Sequence, residues 1–372
     1  MTLTAERRQA PPVPRRRRRL GIVGLVVALA AAGTLLLTAP RHGKPAAPGR
    51  LPAPAAWPKA QRADIPGNLP DGPVFSPTLF LDARTAIGTA PSPDARSMRL
   101  LIRGADGTLR ELRRLPLDRN PQFDNVTAAG GEVVWTESTD RGKLQVWAAG
   151  LRGRPPPRRL TADTGNAVFF GSQYDLTVAG GRVYWAAAPN GAKTTEIRSL
   201  PLTGGAVQVR VEPGTWALSA WPWLTDGAGG QAGTTKLHNM ATNRDVEINS
   251  TGVELTTCSP VWCRVMVMNG GGLARIDVMH PDGSARSRIA GGAARAAIQD
   301  VAVLDRFEVL SEPGPDSDLT GTEGLLVYDI SRRRTVDISA AVSAAFSRGG
   351  VLWWSTGDQD SIVWHTVDLR TV

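Results

Sequence analysis

The chain has 372 residues and a formal net charge of +9. Residues 1–50 hold ten Arg or Lys and one acid, Glu6, so the remaining residues carry equal numbers of both signs. The excess charge therefore excludes a polyanion-binding body and leaves no charge argument for a nucleic-acid partner. A hydrophobic share of 42% excludes a disordered chain, and 40 Gly with 28 Pro exclude a helical bundle in favour of a turn-rich β-protein.

Residues 1–19 form a basic tail with the run Arg15 to Arg19. Leu20 to Thr38 follows with no charge. At about 1.5 Å per residue this run just spans a bilayer core, and residues 20–39 are read as a transmembrane helix or signal anchor. The arginines place the amino terminus in the cytoplasm and the remainder outside. A cleaved signal peptide is the alternative, but the apolar run is long for one and cleavage after Ala39 would leave Pro40 next. A soluble secreted propeller would then result. Arg17-Arg18-Arg19-Leu20 also offers the paired arginines of a twin-arginine signal, which a run of five arginines matches trivially.

Residues 40–73 are rich in Pro and Ala and read as an extended spacer. From residue 74 to residue 372 one pattern recurs. It is clearest in AAGGEVVW (Ala128 to Trp135), VAGGRVYW (Val178 to Trp185) and SRGGVLWW (Ser347 to Trp354). VLDRFEVL (Val303 to Leu310) and FLDARTAI (Phe80 to Ile87) fit the same frame. Each is an apolar strand, a tight turn and a second strand rich in Val and aromatics, which is a hairpin signature. The second strands recur about every 44 residues, the period of four-stranded propeller blades. The expectation is an all-β fold, a β-propeller of seven four-stranded blades, with six or eight left open by two irregular units. The last unit runs out after three strands, and residues Asp71 to Phe75 are expected to supply the fourth. On these hairpins the chain resembles the TolB-like propeller proteins of actinobacterial type. That resemblance implies an extracytoplasmic binding or assembly role and says nothing specific about activity.

Cys258 and Cys263 flank Ser-Pro-Val-Trp in one hairpin and are expected to form a disulfide that pins the Trp262 loop. No G-x-S-x-G elbow, P-loop or dinucleotide fingerprint occurs, so no catalytic residue and no organic cofactor is assigned. Asp316-Ser-Asp318-Leu-Thr320-Gly321 imitates the start of a calcium loop, and Asp358-Gln-Asp360 is a neighbouring acidic pair. The bidentate acid due at the twelfth position is replaced by Val327, so calcium is a weak candidate and a solvated polar loop the plainer reading. Trp221, Trp223, Trp353 and Trp354 read as packing rather than as a sugar platform, with one of each pair pointing inward. Assigning loops to an up-and-down blade collects acids such as Asp94, Asp124 and Asp140 on one face and arginines such as Arg152, Arg286 and Arg332 on the other. The expectation is thus a membrane-anchored monomeric ectodomain that binds a protein, peptide, glycan or envelope component, with an extracytoplasmic glycan-active enzyme as the alternative.

Overall fold

The computed structural model describes residues 49–191, 193–227, 233–358 and 361–372. Leu20 to Thr38 lies outside them. Among the described residues no helix is long and apolar enough to cross a membrane.

Seven antiparallel sheets follow one another along the chain. Blade 1 contains Ser76–Phe80, Ala86–Pro91, Ser97–Arg103 and Leu109–Pro116. Blade 2 contains Gln122–Ala129, Glu132–Thr139, Gly142–Gly150 and Arg158–Thr161, and blade 3 contains Thr177–Ala179, Arg182–Ala187, Thr194–Pro201 and Gln208–Pro213. Blade 4 is the smallest, with Ala217–Leu218, Trp223–Thr225, Lys236–Asn239 and Arg244–Glu247. Blade 5 runs from Glu254–Cys258 through Cys263–Asn269 and Gly272–Met279 to Ser287–Gly291. Blade 6 has Arg295–Ala296, Phe307–Pro313, Glu323–Asp329 and Arg334–Val342, and blade 7 has Ala345–Arg348, Val351–Thr356 and Val363–Asp368. The strands of each blade are called A to D in this order.

The Gly-Gly turns behave as the hairpin frame requires. Gly130-Gly131, Gly180-Gly181 and Gly349-Gly350 all have positive φ at both positions, the type I′ geometry that matches strand twist. Val303-Leu304-Asp305 departs from the frame. Strand A of blade 6 is Arg295–Ala296, and residues 297–306 form a long connection closed by a single bridge from Val303 to Phe307. Leu304 and Asp305, with positive φ, lie in the turn and not in a strand.

The fourth strand of blade 7 is Arg62–Pro66, antiparallel to Val363–Asp368, and not Asp71 to Phe75. Ile65 is buried there against Phe80, Ala86 and Val351. Asp71 instead lies in a turn, closed by Leu69 N–H donating to Pro73 O. Phe75 is 1% exposed and belongs to the core between blades 7 and 1. Upstream, Leu51–Pro52 pairs in parallel with Arg334–Val342 as a fifth strand of blade 6. The helix Ala53–Ala56 and Trp57 then bury against blade 6, with Trp57 edge-on to Phe307 at 5.7 Å between centroids. The prolines that read as a spacer occupy tolerated places: Pro54 in the first helical turn and Pro52 and Pro66 at strand ends.

The core is distributed between blades. Seven clusters of buried apolar residues each join one blade to the next, with Leu100 and Trp135 between blades 1 and 2 and Trp185 between blades 2 and 3. A blade is therefore covered on both faces. That is why Trp353 and Trp354 are both buried: Trp353 packs toward blade 1 and Trp354 toward blade 6. Alternation sends them to opposite faces, and neither face meets solvent.

A divided channel as the candidate binding site

The A strands of adjacent blades stand beside one another around the axis, as Ser76–Phe80 does with Gln122–Ala129 and Ala345–Arg348. The D–A segment of blade 3 crosses the space between them. Ser172 Oγ donates to Asp300 Oδ1 at 2.6 Å, and Gln173 N–H donates to Asp300 Oδ2 at 3.1 Å. Asp300 belongs to blade 6, on the far side of the ring. Gln173 also accepts from Gly349 N–H of blade 7 at 3.1 Å. Residues 170–175 thus form a peg tied to the opposite wall.

Both ends of this tie are braced from below. Asp175 Oδ2 accepts from Phe170 and Gly171 N–H, each at 2.7 Å, which folds the peg into a tight loop. On the other wall, Arg264 of blade 5 pairs with Glu308 of blade 6. Glu308 is fully buried and Arg264 almost so. Glu308 Oε2 accepts from Ala302 N–H at 2.8 Å, and Arg264 Nη2 donates to Asp300 O at 2.8 Å. A buried pair with its remaining donors and acceptors satisfied is the arrangement that offsets its desolvation cost. Here it fixes the connection carrying Asp300.

The peg divides the channel. On one side Tyr174 sits among Leu218, Thr257 and Val301 of blades 4 to 6 and leaves only about 40 Å³. On the other side about 340 Å³ remains open, walled by Phe346, Trp353 and Ile298 and carrying Asp124, Asn125 and Arg348.

Burial sets the electrostatics. It raises the Asp175 carboxyl to about 6, against the pull of its two N–H donors and of Arg348. It raises Asp300 too, against Ser172 and Gln173. Burial also pushes the Tyr174 phenol well up, with Asp300 and Asp305 adding to the effect. Arg348 is lowered by desolvation, with Asp300, Asp175 and Asp124 opposing. Asp124 is raised by partial desolvation, with Arg348 opposing. Among the described residues the Arg348 guanidinium makes no hydrogen bond and has no carboxylate within 4 Å. The Asp124 carboxylate likewise has no hydrogen-bond partner there.

Of the residues singled out in the sequence, Asp124 and Trp353 line this cavity. Asp316 caps the short helix Ser317–Thr320 in the B–C loop of blade 6, where its carbonyl accepts from Leu319 and Thr320 N–H. Asp318 lines a separate pocket beside the Arg295–Glu323 ion pair. Asp358 accepts from Ser361 Oγ at 2.7 Å, and Asp360 lies outside the described residues. Among the described residues no three His, Cys, Asp or Glu side chains gather as a metal site would require. Cys258 and Cys263 are bonded, at the last register pair of their hairpin. Trp262 between them stacks on His280 and donates its indole N–H to Asp305 O at 3.0 Å, so the pinned loop reaches blade 6.

The two-faced charge division does not hold. Arg96, Arg119 and Arg141 stand beside Asp94 and Asp140 on the face of the B–C and D–A loops. Asp82, Asp106 and Asp282 share the other face with Arg152 and Arg332. Glu132 is paired there with Arg158 at 2.7 Å. Residues of opposite sign are local partners, so neither face keeps a single sign.

No family model matches the chain, and no curated protein matches it. Solved structures do. A puromycin-hydrolyzing peptidase of Mycobacterium tuberculosis aligns with a TM-score of 0.52 at 16% identity, over 81% of this chain and 53% of that one. An oligogalacturonate lyase in complex with manganese aligns at 0.50 and 8% identity, over 77% and 86%. TolB from Acinetobacter baumannii aligns at 0.39 and 11%, over 70% and 66%. The chain spans about half the length of a prolyl endopeptidase that it also matches. At these identities the likeness shows the propeller fold alone, which does not fix an activity.

Proposed function

We propose that the protein is a membrane-anchored extracytoplasmic binding propeller, held by residues 20–39 with its amino terminus in the cytoplasm, and acting without catalysis on a protein, peptide, glycan or envelope component. The observation carrying this reading is the divided channel. Its carboxylates Asp175 and Asp300 are occupied in holding a peg, and the open half presents polar groups over an aromatic wall. That is a rigid recognition cavity of ordinary ligand size.

The experiment places a photoreactive residue at Leu319, exposed in the B–C loop of blade 6, and at Val211, exposed on the outer strand of blade 3. A discrete adduct from position 319 and none from 211, in the membrane fraction of intact cells, is the expected result. Recovery of the protein from the medium, shortened at the amino terminus, would replace the anchored reading by the secreted one.

One observation favours a second reading. Asp175 and Asp300 both carry raised pKa values near the channel, as a glycan-cleaving acid must. Release of new reducing or unsaturated sugar ends from envelope glycans, lost in Asp175→Asn, would establish it over the binding role.

A further inference from the structure

Two charges of opposite sign face the open half of the channel and have no partner among the described residues. Arg348 ends strand A of blade 7, and Asp124 lies near the start of strand A of blade 2. They sense each other electrostatically but stand more than 4 Å apart. Each is held in place. Arg348 precedes the Gly349 N–H that donates to Gln173. Asp124 O accepts from Thr136 Oγ1, whose residue is buried.

The wall between them is apolar. Phe346 is 46% exposed although it lies in the central strand of the ring, and it stacks on Trp353 at 5.7 Å. Ile298 completes the wall. Phe346 thus offers an aromatic surface on the innermost strand that is open to the cavity.

We propose that this half-channel binds a small zwitterion, an α-amino acid or a short peptide with an apolar side chain. The carboxylate pairs with Arg348, the ammonium with Asp124, and the side chain lies on Phe346 and Ile298. A guanidinium recognises a carboxylate through parallel N–H donors, and a desolvated partner strengthens both contacts. A volume of about 340 Å³ lies at the small end of ligand cavities, so an extended polymer chain is a poor occupant. The inference deepens the binding role proposed above and rests on it, because it names the ligand of that site.

Calorimetry on the full chain in detergent micelles tests it, with phenylalanine and leucine as zwitterions. Phenylpropionate, lacking the ammonium, and phenethylamine, lacking the carboxylate, are the truncated probes. The expected result is saturable heat with phenylalanine, and at least tenfold weaker binding of either truncated probe, equal to about 1.4 kcal/mol. Arg348→Gln should abolish discrimination for the carboxylate, and Asp124→Asn that for the ammonium. Phe346→Ala should weaken phenylalanine while keeping both discriminations, and it tests the site where a charge variant does not fold. No heat with either amino acid at ~10 mM, where even millimolar binding would register, overturns the proposal. So does equal affinity for phenylalanine and phenylpropionate. An adduct at position 319 together with no amino-acid binding would sink this inference and leave the binding propeller standing.

Discussion

Ser172 of blade 3 donates to Asp300 of blade 6 across the channel at 2.6 Å, joining opposite sides of the ring by a side-chain contact. Sheet pairing links strands only within a blade, and apolar packing links only neighbours. The tie is therefore a constraint independent of both. Asp300→Ala removes the acceptor for Ser172 Oγ and Gln173 N–H and leaves a buried N–H unpaired, which costs roughly 1–3 kcal/mol. The expected outcome is a lower melting temperature and new proteolytic cleavage between residues 166 and 175. Unchanged protection of that segment would show that Asp175 alone holds the peg.

The buried Asp175 makes a pH-dependent contribution of definite sign. Its folded pKa of about 6 lies above the unfolded value of about 3.9. Between those values the folded state keeps a proton that the unfolded state has released. Stability from this group is therefore complete below about pH 4 and lost as pH rises to about 6, by ~3 kcal/mol at most. Asp175→Asn keeps an acceptor for Phe170 and Gly171 N–H and does not titrate. The melting temperature of the variant should match the parent near pH 4 and exceed it by several degrees at pH 8. A difference that is constant with pH would refute the raised pKa.

How much of this was legible beforehand follows from what makes a periodic signal. The blade count came from hairpins such as Ala128 to Trp135, because Gly-Gly turns and Val-aromatic strands repeat at a fixed period. The closing strand Arg62–Pro66 was hidden because Pro52, Pro54 and Pro66 mark it as a spacer by composition, and only pairing to a strand some 300 residues later reveals its role. The site was hidden for a different reason. Asp175, Asp300 and Arg348 stand in connections or at strand ends with no spacing to betray them. A carboxylate set among Ala297, Ile298, Val301, Ala302 and Val303 was the one available signal for Asp300. The polar residues that did attract attention, Asp316 and Asp318, lie in an exposed loop where they solvate a turn.

Arg264 and Glu308 form a pair whose two halves differ in what removal leaves behind. Glu308→Leu leaves a buried guanidinium without its counter-charge, and Arg264→Met leaves a buried carboxylate. Each should cost about 3–5 kcal/mol, whereas the double variant Arg264→Met with Glu308→Leu should cost less than either single change. Chemical denaturation of the three variants gives the coupling directly. Additive losses would mean that the two residues brace the 297–306 connection separately.

The Cys258–Cys263 bond closes a loop of six residues, for which the chain-entropy contribution is about 2 kcal/mol. The pair is buried, so the folded protein should resist mild reductant. Cys258→Ser with Cys263→Ser should lower the melting temperature and free Trp262 from His280 and Asp305, changing its fluorescence. Loss of stability without a change in Trp262 emission would separate the bond from the loop it was expected to pin.

The strap ahead of blade 1 yields the sharpest test of ring closure. Arg62–Pro66 gives blade 7 its outer strand, and Arg62 Nη2 donates to Ala53 O at 2.7 Å, so strap and closing strand brace each other. Trp57 is 2% exposed against blade 6, and burying a large aromatic is worth several kcal/mol. Removal of residues 1–48 should leave a cooperatively folding protein. Removal of residues 1–60 strips Trp57 and the blade 6 contacts but spares the closing strand, and should give a less stable yet folded ring. Removal of residues 1–67 leaves the edge of Val363–Asp368 unpaired, and an unpaired strand edge is a template for aggregation. Circular dichroism and sedimentation of the three truncations should therefore report folded monomer, weakened monomer and aggregate in that order. A folded monomer from the third truncation would show that three strands suffice for blade 7 and that the closing strand is dispensable.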